Sequence, residues 1–321
     1  MKNSIVEQLV CVTKGCNSKL EIESIANKDH DCVEGFLDCR KCEAAYPILD
    51  GVAVIVNDVA TYASQRPKVL GRWLVETKSR RLKDFLKETA KHVRTTSEDR
   101  YEMGGSWFAP YLSMHSPKSK VDKHFAKIVN QNFDELYRNI AELILQKIRS
   151  KGLCLDIGCA IGTTAKRLAK NFDFVFGVDQ SFSFIREARK RNNAKNTEFL
   201  VANSLQLPFE KKFDLIVSLN LIDLVDPRKL LTNVHSLLAN RGHVVMADPY
   251  DFRDEKGNPR SPYDAKSLRK MLADIGFTID PSTSTESFIP WILRIHNRAY
   301  LVYFDDLIIA SKSSMNLSAA F

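Results

Sequence analysis

The sequence predicts an α/β fold, a mostly parallel sheet doubly wound by helices, preceded by a small cysteine-rich unit. Three observations carry that expectation. The stretch Leu153-Cys154-Leu155-Asp156-Ile157-Gly158-Cys159-Ala160-Ile161-Gly162 runs from an apolar strand through an acid and a small-residue turn into a helical pattern at Ala165, Leu168 and Ala169. One βα unit later Phe174-Val175-Phe176-Gly177-Val178-Asp179 repeats the strand-then-acid design. From there strands and helices alternate to the end of the chain, which implies a parallel sheet covered on both faces. Five of the seven cysteines, by contrast, crowd the first 42 residues.

Residues 1–58 form the first expected unit. Cys11 and Cys16 are followed, after more than twenty residues, by Cys39-Arg40-Lys41-Cys42. The start Met1-Lys2-Asn3-Ser4 has no long apolar core of a secretory signal, and no apolar run approaches the ~20 residues of a membrane span. A cytoplasmic protein is expected, in which crowded thiols read as metal ligands rather than disulfides. Four thiolates suit tetrahedral Zn²⁺, which gives a tiny domain its missing core and leaves no open position for catalysis. Cys32 is a spare thiol that is able to replace one ligand. Apolar patches at Leu20 and Ile22, at Phe36 and Leu37, and over 48–56 predict short strands, and Asp50-Gly51 is a hairpin turn signal.

Residues 59–130 change character. Trp73, Leu74, Leu82, Phe85 and Leu86 recur at helical spacing among basic residues. Between Arg66 and Arg149 there are 18 Lys/Arg and 10 Asp/Glu, a surplus equal to the whole net charge of +8. A basic connector of this kind meets RNA, an anionic surface or an acidic protein, or is simply a solvated helical face. It breaks at Gly104-Gly105, and 116–120 reads as a polar loop. Tyr101, Trp107, Tyr111 and His115 are placed to line a lid over a ligand or to pack the connector on the core.

Residues 131–314 carry the sheet and 315–321 a polar tail. An amphipathic helix is expected over 133–148. Strands are expected at 154–157, 175–178, 198–201, 215–219 and 243–247, and helices at 164–170, 183–191, 227–238 and 265–275. Two last strands, 277–279 and 300–310, are expected at the edge.

The turn after the first of these strands points to the ligand. Gly158 and Gly162 let a backbone approach closely where a Cβ would collide. Asp179, at the next strand end, is placed to accept from two ribose hydroxyls. The spacing Gly158-x-Ala160-x-Gly162 is not the G-x-G-x-x-G of a dinucleotide turn, and no Lys-Ser/Thr pair follows as in a phosphate-cradling loop. Asp156 suits a ligand with an amino end. S-adenosylmethionine (SAM) fits: adenosine, an amino acid and no phosphate.

These residues resemble class I SAM-dependent methyltransferases, a Rossmann-like fold. The runs "LDIGCAIG" and "LAKNFDFVFGVDQSFSFIREAR" are most similar to a subgroup that methylates imidazole nitrogens, including the methyltransferase domain of ovothiol synthases and, more distantly, carnosine N-methyltransferases. The resemblance covers roughly 153–312. It implies that Asn203 and Ser204 meet the adenine edge, that Asn220 holds the acceptor ring and that Asp223 orients it or caps the helix entering at Pro227. It further directs Tyr250 at the acceptor and Arg294 at a substrate carboxylate. From the connector itself, Trp107 and Tyr111 are expected to bind substrate as part of the lid. Thr163 and Thr164 stand where the subgroup has an Arg, and Phe252 where it has a Trp. The run "CEAAYPILDGVAVIV" is similar to the end of Trm112-like zinc ribbons, which implies Cys11, Cys16, Cys39 and Cys42 as the zinc ligands, although the first pair is C-x4-C rather than C-x-x-C.

The expected activity is therefore SAM-dependent N-methylation of an imidazole in a small molecule or peptide. A second reading moves the acceptor to RNA or the translation machinery, since a zinc ribbon before a class I domain resembles bacterial rRNA guanine methyltransferases. A third is a non-catalytic SAM-binding adaptor.

Overall fold

A computed structural model describes residues 1–94, 99–115, 135–149, 151–252, 263–296 and 298–313. The expected loop at 116–120, the start of the 133–148 helix and the tail at 315–321 lie outside these. In chain order the elements are β1 (Glu21–Lys28), β2 (Asp31–Asp38), β3 (Ala45–Leu49), β4 (Val52–Ile55), α1 (Val59–Ser64), α2 (Pro67–Glu76), α3 (Arg80–Lys91), α4 (Phe108–Met114), α5 (Glu135–Lys147), β5 (Leu153–Ile157), α6 (Thr163–Leu168), β6 (Phe174–Asp179), α7 (Phe182–Arg191), β7 (Thr197–Ala202), β8 (Phe213–Leu219), α8 (Pro227–Leu237), β9 (Leu238–Asp248), α9 (Ala265–Ile275), β10 (Phe277–Ile279), β11 (Ile289–His296) and β12 (Ala299–Lys312). The fold is mixed α/β and Rossmann-like. No helix among the described residues is long and apolar enough to cross a membrane.

The chain divides into two compact units. The first holds Met1–Ser119, Ala160–Thr163 and Phe176–Lys211. Its cysteine-rich part is a meander, β1 to β4, in which the single apolar run over 48–56 folds back on itself: β3 and β4 pair at Ile48↔Ala53 and Leu49↔Val52. Asp50 (φ 50°) and Gly51 (φ 76°) both take the left-handed conformation that a tight two-residue hairpin demands. The meander continues into the sheet of this unit. β4 runs parallel to β7, Val54 against Val201 and Ile55 against Ala202, and every residue of β7 is buried. A strand covered on both faces has to be apolar throughout, as 197–202 nearly is. The one buried acid there, Glu198, is matched by Arg189 and by the Lys2 amide at 2.7 Å.

The connector is helical, as its spacing predicts. Asp58 caps α1 by accepting from the amides of Ala60 (2.8 Å) and Thr61 (3.2 Å), Pro67 opens α2, and Ser79 caps α3. Many of its cations are paired: Arg72 with Glu76, Arg80 and Lys87 with Asp84, Lys91 with Glu88 and Arg81 with Glu23. Arg66 is buried against Asp99 and Glu102. Glu102 also accepts from the amides of Phe182 (2.9 Å) and Ser183 (3.0 Å), placing a carboxylate on the orphan donors that open α7.

The second unit holds Lys120–Cys159, Thr164–Val175 and Lys212–Phe321. β5, β8 and β9 are parallel neighbours, and β12 closes on β9 antiparallel, with Asp306 opposite Asp248. Helix α5 buries Leu136, Tyr137, Ile140, Ala141 and Ile144, the apolar stripe read from its sequence. Three strands rather than two end the described chain: 289–296 forms β11, paired with β12 from Ile289↔Asp305 to Arg294↔Tyr300. Pro290 at the start of a strand with one partner explains why this run reads poorly as strand. β9 also begins earlier than expected, at Leu238, which pairs with Phe213; a bulge through Arg241 at φ 63° separates that pair from Leu215↔His243.

Candidate functional site

The acid-and-turn design of the sequence is built as expected at its first element. β5 ends in Asp156-Ile157, and the turn carries Gly158 (φ 74°), Ala160 (φ 45°) and Gly162 (φ 75°). Asp156 is 2 % exposed and its Oδ2 accepts from the amide of Ala165 at 3.1 Å, in the first turn of α6. A Cβ on Gly158 would touch Leu221 at 3.4 Å. A Cβ on Gly162 would lie 2.7 Å from the Phe199 ring, so that glycine is fixed by packing as well as by conformation.

The turn residue Ala160 and the acid Asp179 meet directly. Asp179 Oδ2 accepts from the Ala160 amide at 3.0 Å and Oδ1 from the Ser181 amide at 2.8 Å. Burial pushes this carboxyl up to about 6, against the pull of those two amides, and the neighbouring Asp99 and Glu102 push it further. Asn203, after β7, has its Oδ1 turned to its own loop, accepting from the Leu205 amide at 2.8 Å, and Ser204 is buried beside it.

Of the residues expected to line a lid or to pack the connector, Tyr101 and Tyr111 pack on Ala160 and Ile161. Ala160, Ile161 and Phe184 form a buried cluster against which Tyr101, Phe108, Tyr111 and Leu112 pack. Tyr111 stands edge-on to Tyr101 (5.4 Å between centroids), and Phe108 stacks on Phe184 at 5.1 Å. Trp107, half-buried, leads into α4, its amide N–H donating to the Arg100 carbonyl at 2.9 Å. His115 Nδ1 lies 3.1 Å from Thr163 Oγ1, and burial, helped by the charge of Arg191, pushes the imidazole down to about 3, so it is neutral at physiological pH.

At the ends of β8 and β9 the structure differs from the simplest expectation. Asn220 (φ 53°) and Tyr250 (φ 58°) are both left-handed. Both have side chains engaged within the protein. Asn220 Oδ1 accepts from the Tyr137 hydroxyl at 3.2 Å, and its Nδ2 donates to Asp305 Oδ2 at 2.9 Å. The Tyr250 hydroxyl donates to Asp306 Oδ2 at 2.6 Å, and Asp306 is gripped by both terminal nitrogens of Arg269, at 2.5 and 3.0 Å. Asp248 accepts from the amides of Ile222 (2.9 Å) and Tyr250 (3.0 Å). It is 2 % exposed, and burial together with Asp223 holds its carboxyl well above the usual range. Asp223 sits half-buried in the short turn Ile222–Leu224; the helix at Pro227 is capped instead by Asp226, whose Oδ1 accepts from the Lys229 amide at 3.0 Å. Arg294 pairs with Tyr300, five residues along β12 from Asp305, or about 17 Å at the usual strand rise.

Asp305 is the residue that sequence reasoning missed. It is fully buried, its Oδ1 accepts no hydrogen bond among the described residues, and burial raises its carboxyl to about 8. In "YLVYFDDLIIA" it reads as an interruption of an apolar strand. Only the pairing of β12 with β9 and β11 reveals it as a buried group reaching Asn220.

Cys11, Cys16, Cys39 and Cys42 come together as the resemblance implies. Their sulfurs all lie within 4.8 Å of one another, with Cys11–Cys42 and Cys16–Cys39 at 3.5 Å. Four sulfurs tetrahedral about an ion at ~2.3 Å would be spaced about 3.8 Å apart, so the set is compatible with metal. The Ala44 amide pulls the Cys42 thiol down to about 6. The Tyr46 hydroxyl, 3.0 Å from Cys11 Sγ and 3.1 Å from the Val12 amide, buttresses the cluster from inside. Cys32 is buried elsewhere, its Sγ 3.4 Å from the Glu34 carbonyl, and is not one of the four.

Residues 155–246, from β5 into β9, match the family described as a methyltransferase domain. An uncharacterized protein of Methanocaldococcus jannaschii is 28% identical over 182 residues, covering 54% of this chain and 76% of its own length. An uncharacterized methyltransferase of Alkaliphilus oremlandii is 29% identical over 150 residues, covering 45% of this chain and 65% of its own. Among solved structures, magnesium protoporphyrin IX methyltransferase from Synechocystis with bound SAM is similar over 68% of this chain and 100% of that one, at 16% identity and a TM-score of 0.48.

Proposed function

We propose that this chain, a SAM-dependent methyltransferase, transfers its methyl group to an imidazole nitrogen of a histidine-derived small molecule or peptide. The observation that supports this acceptor is the composition of the β8 and β9 ends: Asn220 and Tyr250, uncharged, beside Asp223 and Asp248, with no Lys or Cys within 219–223 or 248–252 to act as a stronger base or nucleophile. A neutral imidazole already offers a lone pair at pH 7. Bound SAM supplies a methyl group activated by its sulfonium. The remaining work is alignment and exclusion of water. Asp179 takes the ribose hydroxyls, Asp156 the amino end, and Gly158 and Gly162 the close backbone approach. Asn203 and Ser204 meet the adenine edge. Asn220, Asp223 and Tyr250 face the acceptor, Arg294 takes its carboxylate, and Trp107 and Tyr111 belong to the lid. In the transfer the acceptor nitrogen forms a bond to carbon, the carbon–sulfur bond breaks with its pair on sulfur, and the imidazolium then gives its second N–H proton to solvent.

In the same reading Cys11, Cys16, Cys39 and Cys42 hold a structural zinc ion in a reducing, cytoplasmic setting where thiols stay available to metal. The test of the acceptor is transfer of label from methyl-labelled SAM to histidine, histidine dipeptides and total RNA side by side. Label in the imidazole compounds, lost in Asp179→Ala, supports the reading. Label in RNA alone, falling steeply as salt rises, replaces it with the nucleic-acid reading of the basic connector.

A further inference from the structure

We propose that Asn220 meets the acceptor through its main-chain carbonyl oxygen, and that Tyr137 and Asp305 are positioning residues that hold its amide away from the acceptor. The inference rests on the methyl-transfer reading and concerns how the end of β8 recognises a nitrogen heterocycle with an N–H.

Every other polar atom of Asn220 has one partner within the protein. Its amide N–H donates to the Ala247 carbonyl at 2.8 Å, its Oδ1 accepts from Tyr137 and its Nδ2 donates to Asp305. The carbonyl is the exception: among the described residues nothing donates to it. The residue is only 9 % exposed, and a carbonyl in such a place is ordinarily paired. The left-handed backbone at Asn220 turns the peptide that follows it out of the β8 register, and strain of this kind gathers where a chain serves a ligand. Asn tolerates that conformation better than other residues with a side chain. Here the tolerance is reinforced from both sides, by a tyrosine on α5 and a buried aspartate on β12, whose other oxygen has no partner among the described residues.

Tyr250 provides an internal contrast. It is also left-handed, yet its carbonyl accepts from the Phe252 amide at 2.9 Å and its hydroxyl is held by Asp306. Of the two left-handed strand ends, Asn220 alone keeps a carbonyl to offer. That carbonyl accepts the ring N–H, which points the other ring nitrogen's lone pair away toward the methyl group. It takes no proton itself; after transfer the proton leaves for solvent.

The test compares two substitutions at one position. Glycine takes positive φ at no steric cost, whereas alanine does not. Asn220→Gly is therefore expected to lose about threefold in kcat/KM for the imidazole acceptor and Asn220→Ala more than thirtyfold. Asp305→Ala and Tyr137→Phe each lower kcat more than tenfold in the parent chain, but add nothing when combined with Asn220→Gly, which removes the side chain they hold. Equal, large losses in Asn220→Gly and Asn220→Ala would mean that the amide itself binds the acceptor and would overturn the inference, as would an Asp305→Ala loss that persists in combination with Asn220→Gly. Calorimetric binding of S-adenosylhomocysteine (SAH) within twofold of the parent confirms that each variant is folded. A second readout does not depend on turnover: imidazole titrated into the SAH complex should bind Asn220→Gly nearly as well as the parent and Asn220→Ala tenfold more weakly. That pattern without any labelled product overturns the acceptor reading alone; its absence overturns the role of the carbonyl.

Discussion

Replacing Asp305 with asparagine should stabilise the protein, and the size of the gain should depend on pH. Asp305 is fully buried, and burial, with some help from Asp223 and against the Asn220 amide, raises its carboxyl from 3.8 to about 8. A carboxyl raised in the folded state favours folding only below its unfolded value. That contribution is lost progressively as pH rises from about 4 to about 8. At pH 7 the unfolded chain releases the proton and the folded chain retains it. The difference of about three pH units, at ~1.4 kcal/mol each, is on the order of 4 kcal/mol against folding. Asparagine has the same shape, still accepts from Asn220 Nδ2 and never ionises. Asp305→Asn should therefore match the parent near pH 4 and exceed it by a few kcal/mol at pH 7 and above. Denaturant unfolding at pH 4.5 and 7.5 measures both. A variant that is destabilised at pH 7.5, or whose difference from the parent is the same at both pH values, would refute the reasoning.

Three further outcomes are expected. Donor binding should weaken on acidification: with the Asp179 carboxyl at about 6, roughly one chain in ten is ionised at pH 5, so SAH affinity by calorimetry should fall about tenfold between pH 7.5 and pH 5. Purified protein should carry about one equivalent of zinc by elemental analysis, lost in Cys39→Ser and kept in Cys32→Ser, because Cys32 stands outside the four-sulfur cluster. Gly162→Ala should cost about 2–4 kcal/mol in denaturant unfolding, since its Cβ would meet the buried Phe199 ring at 2.7 Å from a backbone at φ 75°.

Much of this was legible in the sequence because the signals were local. Strand-then-acid at Asp156 and Asp179 fixes both the strand ends and the side chains there, since an acid just past an apolar run has nowhere to go but the carboxyl edge of the sheet. The crowding of thiols before residue 43 announces a metal site, with Cys32 left as a candidate ligand until the cluster excluded it, and Asp50-Gly51 announces its hairpin. What was not legible depends on distant partners. Nothing within 48–56 says that β4 will run beside β7, because parallel pairing leaves no turn signal in the chain. Glu102 caps a helix eighty residues away. Asn220 is recognisable as a strand-end residue, yet the direction of its amide depends on Tyr137 and Asp305, 83 and 85 residues distant. Asp226 displaced Asp223 as helix cap through geometry that two neighbouring aspartates in "IDLVDPRK" do not distinguish.

Titration calorimetry of SAH into the folded, zinc-loaded chain at pH 7.5 probes the donor chemistry at its root. One equivalent should bind, with affinity at least tenfold weaker in Asp179→Asn. No heat from the parent protein, or equal binding by the variant, would contradict it.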